Sequence, residues 1–268
     1  MDTNINSRED QLKAFERLLD VMDTLREKCP WDRKQTYQSL RPNTIEETYE
    51  LCDALLNEDS ANICKELGDV LLHIVFYAKI GSEQKQFDIA DVCNKLCDKL
   101  IYRHPHVYGD VSVNSTGQVL QNWEQLKTKE KDGNKTVLSG VPTALPSVIK
   151  ADRIQEKASN VGFDWKERRD VWNKVKEEIS EFEAEVENMD KDKATSEFGD
   201  IMFSLINAAR LYKINPDTAL EQTNQKFISR FNYVEDKARE SGRAINELTL
   251  EEMDEYWNEA KRNHGAEE

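Results

Sequence analysis

Glu47, Glu50, Glu66 and Asp69 recur as Glu178, Glu181, Glu197 and Asp200, each at the same offset (178 − 47 = 131). In both sets two carboxylates stand three apart within E-E-x-x-E, and two more stand three apart within E-x-G-D. Positions three or four apart share a helix face, so each pair forms an acidic ridge, and an antiparallel hairpin would bring four carboxylates together. Such charges repel one another, and a solvated face is the ordinary reason for a single E-E-x-x-E. The second pair, however, runs straight into LGDVLLHIVFYA and FGDIMFSLINAA, segments too apolar to face water. Semi-buried carboxylates need a compensating cation, and no lysine or arginine interleaves the motifs at matching positions in both sets. Oxygen-only ligands suit Mg²⁺, with Mn²⁺ as a substitute, whereas zinc asks for nitrogen or sulfur. A di-iron bundle needs Glu-x-x-His; His73 falls four residues after Asp69 and Ser204 takes its place in the second set, so that reading fails.

Mg²⁺ held by several carboxylates and still carrying waters takes phosphates. Suitable cations follow: Lys226 and Arg230 are a helical turn apart, and Lys261 is a turn after Trp257, an aromatic plane for a nucleotide. Lys99, Arg103, Trp123 and Lys127 echo them in the first half. Taken singly, each reads first as a surface charge or a core tryptophan; their repetition puts the functional reading ahead. Lys174 precedes Glu178 by one turn where Asn43 precedes Glu47, and Asn207 follows Asp200 by two turns where Phe76 follows Asp69. The C-terminal half is therefore expected to carry most of any turnover, with the N-terminal half binding metal weakly or serving assembly. His104 and His106 flank Pro105 and have no counterpart, which predicts a capped loop without a catalytic role.

The elements that must position these groups are helical. Of 268 residues 38% are hydrophobic and 33% charged, with ten Gly and six Pro, which favours long helices over a strand-rich fold. Helical periodicity marks segments near 8–27, 44–57, 60–83, 88–103 and 115–130, then near 145–159, 167–190, 191–212, 216–241 and 249–262. Thr44-x-x-Glu47 and Ser115-x-x-Gln118 fit capping boxes, and Pro216 fits a first-turn proline. The two apolar segments after the carboxylates should be central and surrounded. Gly68 and Gly199 inside them predict close approach of another backbone or a ligand, or helix–helix contact alone. The chain is an internal duplication: a domain over 1–130, a Gly/Pro-rich linker over 131–146, and a second domain over 147–268.

A net charge of −15 argues against nucleic acid or an anionic membrane as partner. Neither a leader-like N-terminus nor a bilayer-length apolar run occurs, so a cytoplasmic location is expected. Five cysteines indicate neither a disulfide framework nor a zinc site; Cys93 and Cys97 are expected in the core.

E-E-x-x-E, E-x-G-D, K-x-x-x-R and W-x-x-x-K in duplicate, with CPWD at 29–32, RHPHVYGD at 103–110 and NVGFDW at 160–165, resemble the MazG family of nucleoside triphosphate pyrophosphohydrolases. The resemblance spans nearly the whole chain. It implies an all-α fold of tandem MazG domains, a homodimer, and Mg²⁺-dependent hydrolysis of nucleoside triphosphates to monophosphate and pyrophosphate, serving nucleotide-pool control or house-cleaning. In that chemistry Glu178, Glu181, Glu197 and Asp200 hold metal, and Glu47, Glu50, Glu66 and Asp69 form a weaker second site. Glu177 or Glu178 takes a proton from water; Lys226, Arg230 and Lys261 hold the triphosphate, and Trp257 stacks on the base or walls the pocket. Two alternatives stand beside it: a narrower all-α pyrophosphohydrolase for dUTP or phosphoribosyl-ATP, and a non-catalytic, metal-stapled helical assembly.

Overall fold

The computed structural model describes residues 6–129 and 136–264, and no strand occurs among them. The chain divides into two compact units, Met1–Val113 and Asn114–Glu268. In the first, α1 (Arg8–Lys28), α2 (Tyr37–Leu56), α3 (Ser60–Glu83) and α4 (Ile89–Arg103) are followed by the single turn α5 (Pro105–Tyr108). Helices α2 and α3 form a hairpin that turns through Glu58, in the left-handed region at φ 52°. Asp59 caps α3 by accepting from the Ala61 and Asn62 amides, both at 3.1 Å. Met22, Leu40, Val75, Phe76 and Ile80 form the core, with Phe15, Leu18, Leu72 and Tyr77 packed against it. At the far end of α3 a Cβ on Gly81 would stand 2.8 Å from the Phe87 ring and 2.9 Å from its carbonyl oxygen, so glycine is required for the turn into α4.

The second unit holds α6 (Thr116–Lys129), α7 (Ser147–Asn160), α8 (Arg168–Glu187), α9 (Lys191–Leu211), α10 (Pro216–Glu240) and α11 (Leu250–His264). Helices α8 and α9 form the matching hairpin, turning through Met189 at φ 56°, with Asp190 as cap. Helices α7 and α10 pack on α9, and α11 packs on α10. Pro216 opens α10 as expected, behind an Asn215 cap that accepts from Thr218 N at 2.8 Å. Helix α6, placed by sequence at the end of the first half, groups with α7 in the second unit. Of the expected linker, residues 131–135 lie outside the described residues, and 136–146 run as turns into α7.

Five expectations are corrected. Helix α2 starts at Tyr37, not Thr44, because Thr36 and Ser39 form the capping box and the helix continues through Pro42. Thr44 is an interior residue whose hydroxyl donates to Leu40 O and lies 3.1 Å from His73 Nδ1. The Ser115 box closes by one arm only: Ser115 Oγ accepts from Gln118 N, while Gln118 Oε1 accepts from Asn114 N. Helices α3 and α9 are not surrounded, since Leu67 and Ile74, and Phe198, Met202 and Leu205, are exposed. A Cβ at Gly68 or Gly199 meets nothing within 4 Å among the described residues, so no other described element packs against either glycine there. Cys93 and Cys97 are exposed, because α4 has no buried residue on any face: Leu96, Leu100 and Ile101 are exposed as well.

A bidentate ion pair ties the end of α3 to α1: Arg26 donates Nε to Glu83 Oε1 at 3.0 Å and Nη2 to Glu83 Oε2 at 2.5 Å. Hydrogen bonding by Arg26 is the largest influence on the Glu83 carboxyl and holds it below its ordinary range, outweighing desolvation. A depressed carboxyl contributes stability that is present above its unfolded pKa and is lost as pH falls through the folded value. Glu83→Gln should therefore cost about 1 kcal/mol at neutral pH, a figure discounted for the partial exposure of Glu83. In urea unfolding the two proteins should converge below the usual carboxylate range; a gap that persists there rules out the charge as its origin.

Candidate functional site

Each hairpin brings three carboxylates together. In the second unit Glu178 of α8 and Glu197 and Asp200 of α9 each place an oxygen within 4.8 Å of the others; in the first, Glu47, Glu66 and Asp69 do the same. Burial of one member of each is what makes these more than acidic surface, for Glu178 is 7% exposed and Glu66 is 2% exposed. Glu66 Oε2 is buried without a hydrogen-bond partner among the described residues, an orphaned acceptor on a member of the acidic cluster. Glu50 and Glu181, one turn further along, are exposed and stand outside the three-oxygen groups.

The electrostatics follow from this crowding. The Glu47 carboxyl is pushed up by desolvation first, and then by the charges of Asp69, Glu50, Glu66 and Glu46. Glu181 is likewise raised, by desolvation and then by a hydrogen bond shared with Glu178. Among the described residues each cluster has one lysine paired to it. Lys174 Nζ lies 2.8 Å from Glu178 Oε1 and 2.9 Å from Glu177 Oε1, and these bonds, to Glu178 first, raise its pKa. Lys65 Nζ lies 2.7 Å from Glu66 Oε1 and 3.9 Å from Asp69 Oδ2. Sequence reasoning sought a cation at matching positions and so missed Lys65, whose signal was adjacency to Glu66 and i, i+4 spacing to Asp69. One ammonium against three or more carboxylates leaves each cluster net negative, which suits a hard divalent cation.

Beside the second cluster opens a cavity of about 660 Å³, lined by Lys174, Glu178, Asp200 and Asn207. The turn Gly162–Trp165 forms part of its wall, and Gly162 at φ 91° makes that turn possible. Arg210 anchors the wall by donating Nη1 to Asp164 Oδ2 at 3.0 Å and Nη2 to Asp164 Oδ1, while Nε and Nη2 also donate to Asn207 Oδ1 at 3.2 and 2.8 Å. Burial alone would raise the Asp164 carboxyl, but the Arg210 bonds and the Trp165 amide hold it below its ordinary range. Arg210 stands at the offset of Lys79, which pairs with Asp23 in the first unit at 2.7 Å. Phe76, at the offset of Asn207, is 3% exposed and belongs to the apolar core.

Lys226, Arg230, Trp257 and Lys261 do not line that cavity. They share the α10–α11 hairpin, where Arg230 lies over the Trp257 ring at 5.8 Å and Phe227 packs on the same ring at 5.0 Å; Lys226 and Lys261 are exposed. In the first unit His73 is 6% exposed, and desolvation lowers its pKa. His104 Nδ1 lies 2.6 Å from Leu100 O at the end of α4.

Two antiparallel helices that converge three carboxylates on one point, with a lysine alongside and a cavity at their flank, define an all-α protein whose donor set suits a hard cation. The chain belongs to the MazG nucleotide pyrophosphohydrolase family, whose domain matches twice, at residues 35–108 and 168–235. It is 43% identical over 250 residues to the Thermotoga maritima nucleoside triphosphate pyrophosphohydrolase/pyrophosphatase MazG, covering 92% of this chain and 95% of that one. It is 40% identical over 258 residues to the nucleoside triphosphate pyrophosphohydrolase of Escherichia coli K12, covering 94% and 98%. The uncharacterized protein YabN of Bacillus subtilis is 48% identical over 235 residues, which are 87% of this chain and 48% of that one.

Asp164→Asn removes the charge from the Arg210 clamp without changing its shape. The expected loss is about 1–2 kcal/mol of stability in chemical denaturation. A variant as stable as the parent would show that the clamp does not hold the cavity wall.

Proposed function

We propose that the protein hydrolyses nucleoside triphosphates to nucleoside monophosphate and pyrophosphate in an Mg²⁺-dependent reaction with broad base tolerance, Mn²⁺ serving as a substitute. Nucleotide-pool control or house-cleaning in the cytoplasm is the role that fits. The observation that carries this reading is the three-carboxylate cluster around buried Glu178, set beside a cavity large enough for a nucleotide. Its support from relatives is the activity printed in the names of the Thermotoga maritima and Escherichia coli proteins. No described helix is long and apolar enough to cross a membrane, and the charge of −15 disfavours nucleic acid.

Glu178, Glu181, Glu197 and Asp200 are the residues that would hold the ion, which when bound supplies charge neutralisation and Lewis acidity to a triphosphate and its attacking water. Lys174 faces the cavity with Glu178 and is placed to donate to a phosphate oxygen; the ligand would draw it from the carboxylates that hold it here. Glu177 is the better general base of the two candidates. It is exposed and lies outside the three-oxygen group, whereas the lone pairs of Glu178 are committed to the cluster. As water oxygen bonds to the α-phosphorus, its proton passes to Glu177, and the bond from the α-phosphorus to the bridging oxygen breaks. Pyrophosphate leaves with that electron pair. Lys226, Arg230 and Lys261 would add cations for the phosphates, and Trp257 a stacking or wall surface, from the α10–α11 hairpin. The first cluster, Glu47, Glu50, Glu66 and Asp69, lacks a counterpart to Lys174 and Asn207 and is read as a weaker site.

A homodimer completes the reading. Phe198, Met202 and Leu205 of α9 and Phe227 and Ile228 of α10 are exposed in one chain, an apolar surface that a second copy would cover. Duplicated domains over 1–130 and 147–268, joined by the 131–146 linker, are retained as the sequence register of that assembly.

Two measurements test this. Pyrophosphate release from a panel of standard and damaged triphosphates should require Mg²⁺ and fall by roughly 100- to 1,000-fold in Glu178→Ala, while Glu47→Ala keeps most of it. No release from any triphosphate, with metal still bound, would sink the enzymatic reading. Sedimentation equilibrium should give twice the 31.1 kDa chain mass, and a concentration-independent monomer would refute the dimer.

A further inference from the structure

His104 and His106 stand outside both carboxylate clusters, yet the chain brings their half-buried rings together, with centroids 5.6 Å apart and planes tilted by 53°. The backbone fixes that proximity. His104 ends α4 and precedes α5, which Pro105 opens. His104 O accepts from Val107 N at 2.9 Å and from Tyr108 N at 3.0 Å. Gly109 closes the turn, at a place where a Cβ would stand 3.0 Å from Pro105 O.

The tautomer of His104 is set by its partner. Nδ1 lies 2.6 Å from Leu100 O, a carbonyl that can only accept, so Nδ1 carries the hydrogen and Nε2 of the neutral ring keeps its lone pair. That is the arrangement behind metal-bound histidines: a hydrogen bond to a backbone carbonyl orients the ring and makes the other nitrogen a better donor. Two imidazoles sharing a cation at about 2.1 Å have their centroids roughly 5 Å apart, so a small rotation of either ring brings two nitrogens to one ion. Imidazole suits borderline cations such as Zn²⁺ and Ni²⁺, which the oxygen-only clusters do not select. Among the described residues no third metal-ligating side chain closes within 4.8 Å of both rings.

We propose that His104 and His106 form a two-nitrogen site for a borderline divalent cation such as Zn²⁺ or Ni²⁺, with water in the remaining positions. The site is independent of the pyrophosphohydrolase reading and of the carboxylates that serve it. Its consequence is local: α4 has no buried residue on any face, and a cation shared across Pro105 joins its end to α5.

The test uses the full chain with Ni²⁺ as probe and Mg²⁺ in excess to occupy the carboxylates. Calorimetry should find a Ni²⁺ site that weakens by roughly 10- to 100-fold in His104→Gln and in His106→Gln. The same site should be unchanged in the double variant Cys93→Ser/Cys97→Ser, which removes the exposed thiols of α4. A second measurement needs no substitution. Of the four histidines, the ring resonances of His104 and His106 should be the first that paramagnetic Ni²⁺ broadens in NMR spectra. Ni²⁺ affinity equal to the parent's in both histidine variants, or broadening that falls first on His73 or His264, overturns the proposal. So does Ni²⁺ binding that excess Mg²⁺ abolishes.

Discussion

Everything in the second unit is arranged around a repulsion. Glu178, Glu197 and Asp200 bring oxygens within 4.8 Å of one another, and the first of them is almost wholly removed from water. Nothing in hydrophobic packing asks for that placement; buried helix positions are normally apolar, and a buried carboxylate without a partner is strongly disfavoured. The hairpin tolerates it because Lys174 offsets part of the charge and because Val171 and Val175, on the same helix as Glu178, seat α8 firmly on its neighbours. The Glu181 carboxyl beside it is pushed up, by desolvation first and then by its hydrogen bond with Glu178.

The two units solve the same problem with different surroundings. Both carry the three-oxygen cluster, one lysine against it, and a cation at the Lys79/Arg210 position paired to an acid. Beyond the cluster they diverge. The first unit fills its interior with Met22, Leu40, Val75, Phe76 and Ile80, whereas the second sets Gln155, Asn207 and Arg210 around open space. Duplication therefore kept the charged centre in both copies, while the ground next to it became core in one and cavity in the other.

Much of this was legible in the sequence because it depends on spacing along helices. The matched carboxylates, the hairpins and ten helical segments follow from local periodicity, and Pro216 marks a helix start by its fixed φ. What escaped depends on contacts between elements. Gln155 looks like any polar residue in an amphipathic helix until Phe203 O is seen to fix its amide. The start of α2 is set by the Thr36/Ser39 capping box, and the helix runs from Tyr37 through Pro42 to the segment that periodicity marked. The apolar runs of α3 and α9 suggested full enclosure, because a sequence shows how apolar a face is but not whether the same chain covers it.

The α8–α9 hairpin is closed by three residues, Asn188, Met189 and Asp190. All three members of the cluster lie on it, so gathering them involves little loop-closure entropy, and the main opposition is electrostatic. The cavity has another origin: its lining reaches from Leu138 to Arg210 and needs α7 docked as well. A cation held by these three carboxylates would thus be coupled to the closing of one local hairpin rather than to the unit as a whole. Amide hydrogen exchange would register that coupling as protection concentrated in α8 and α9.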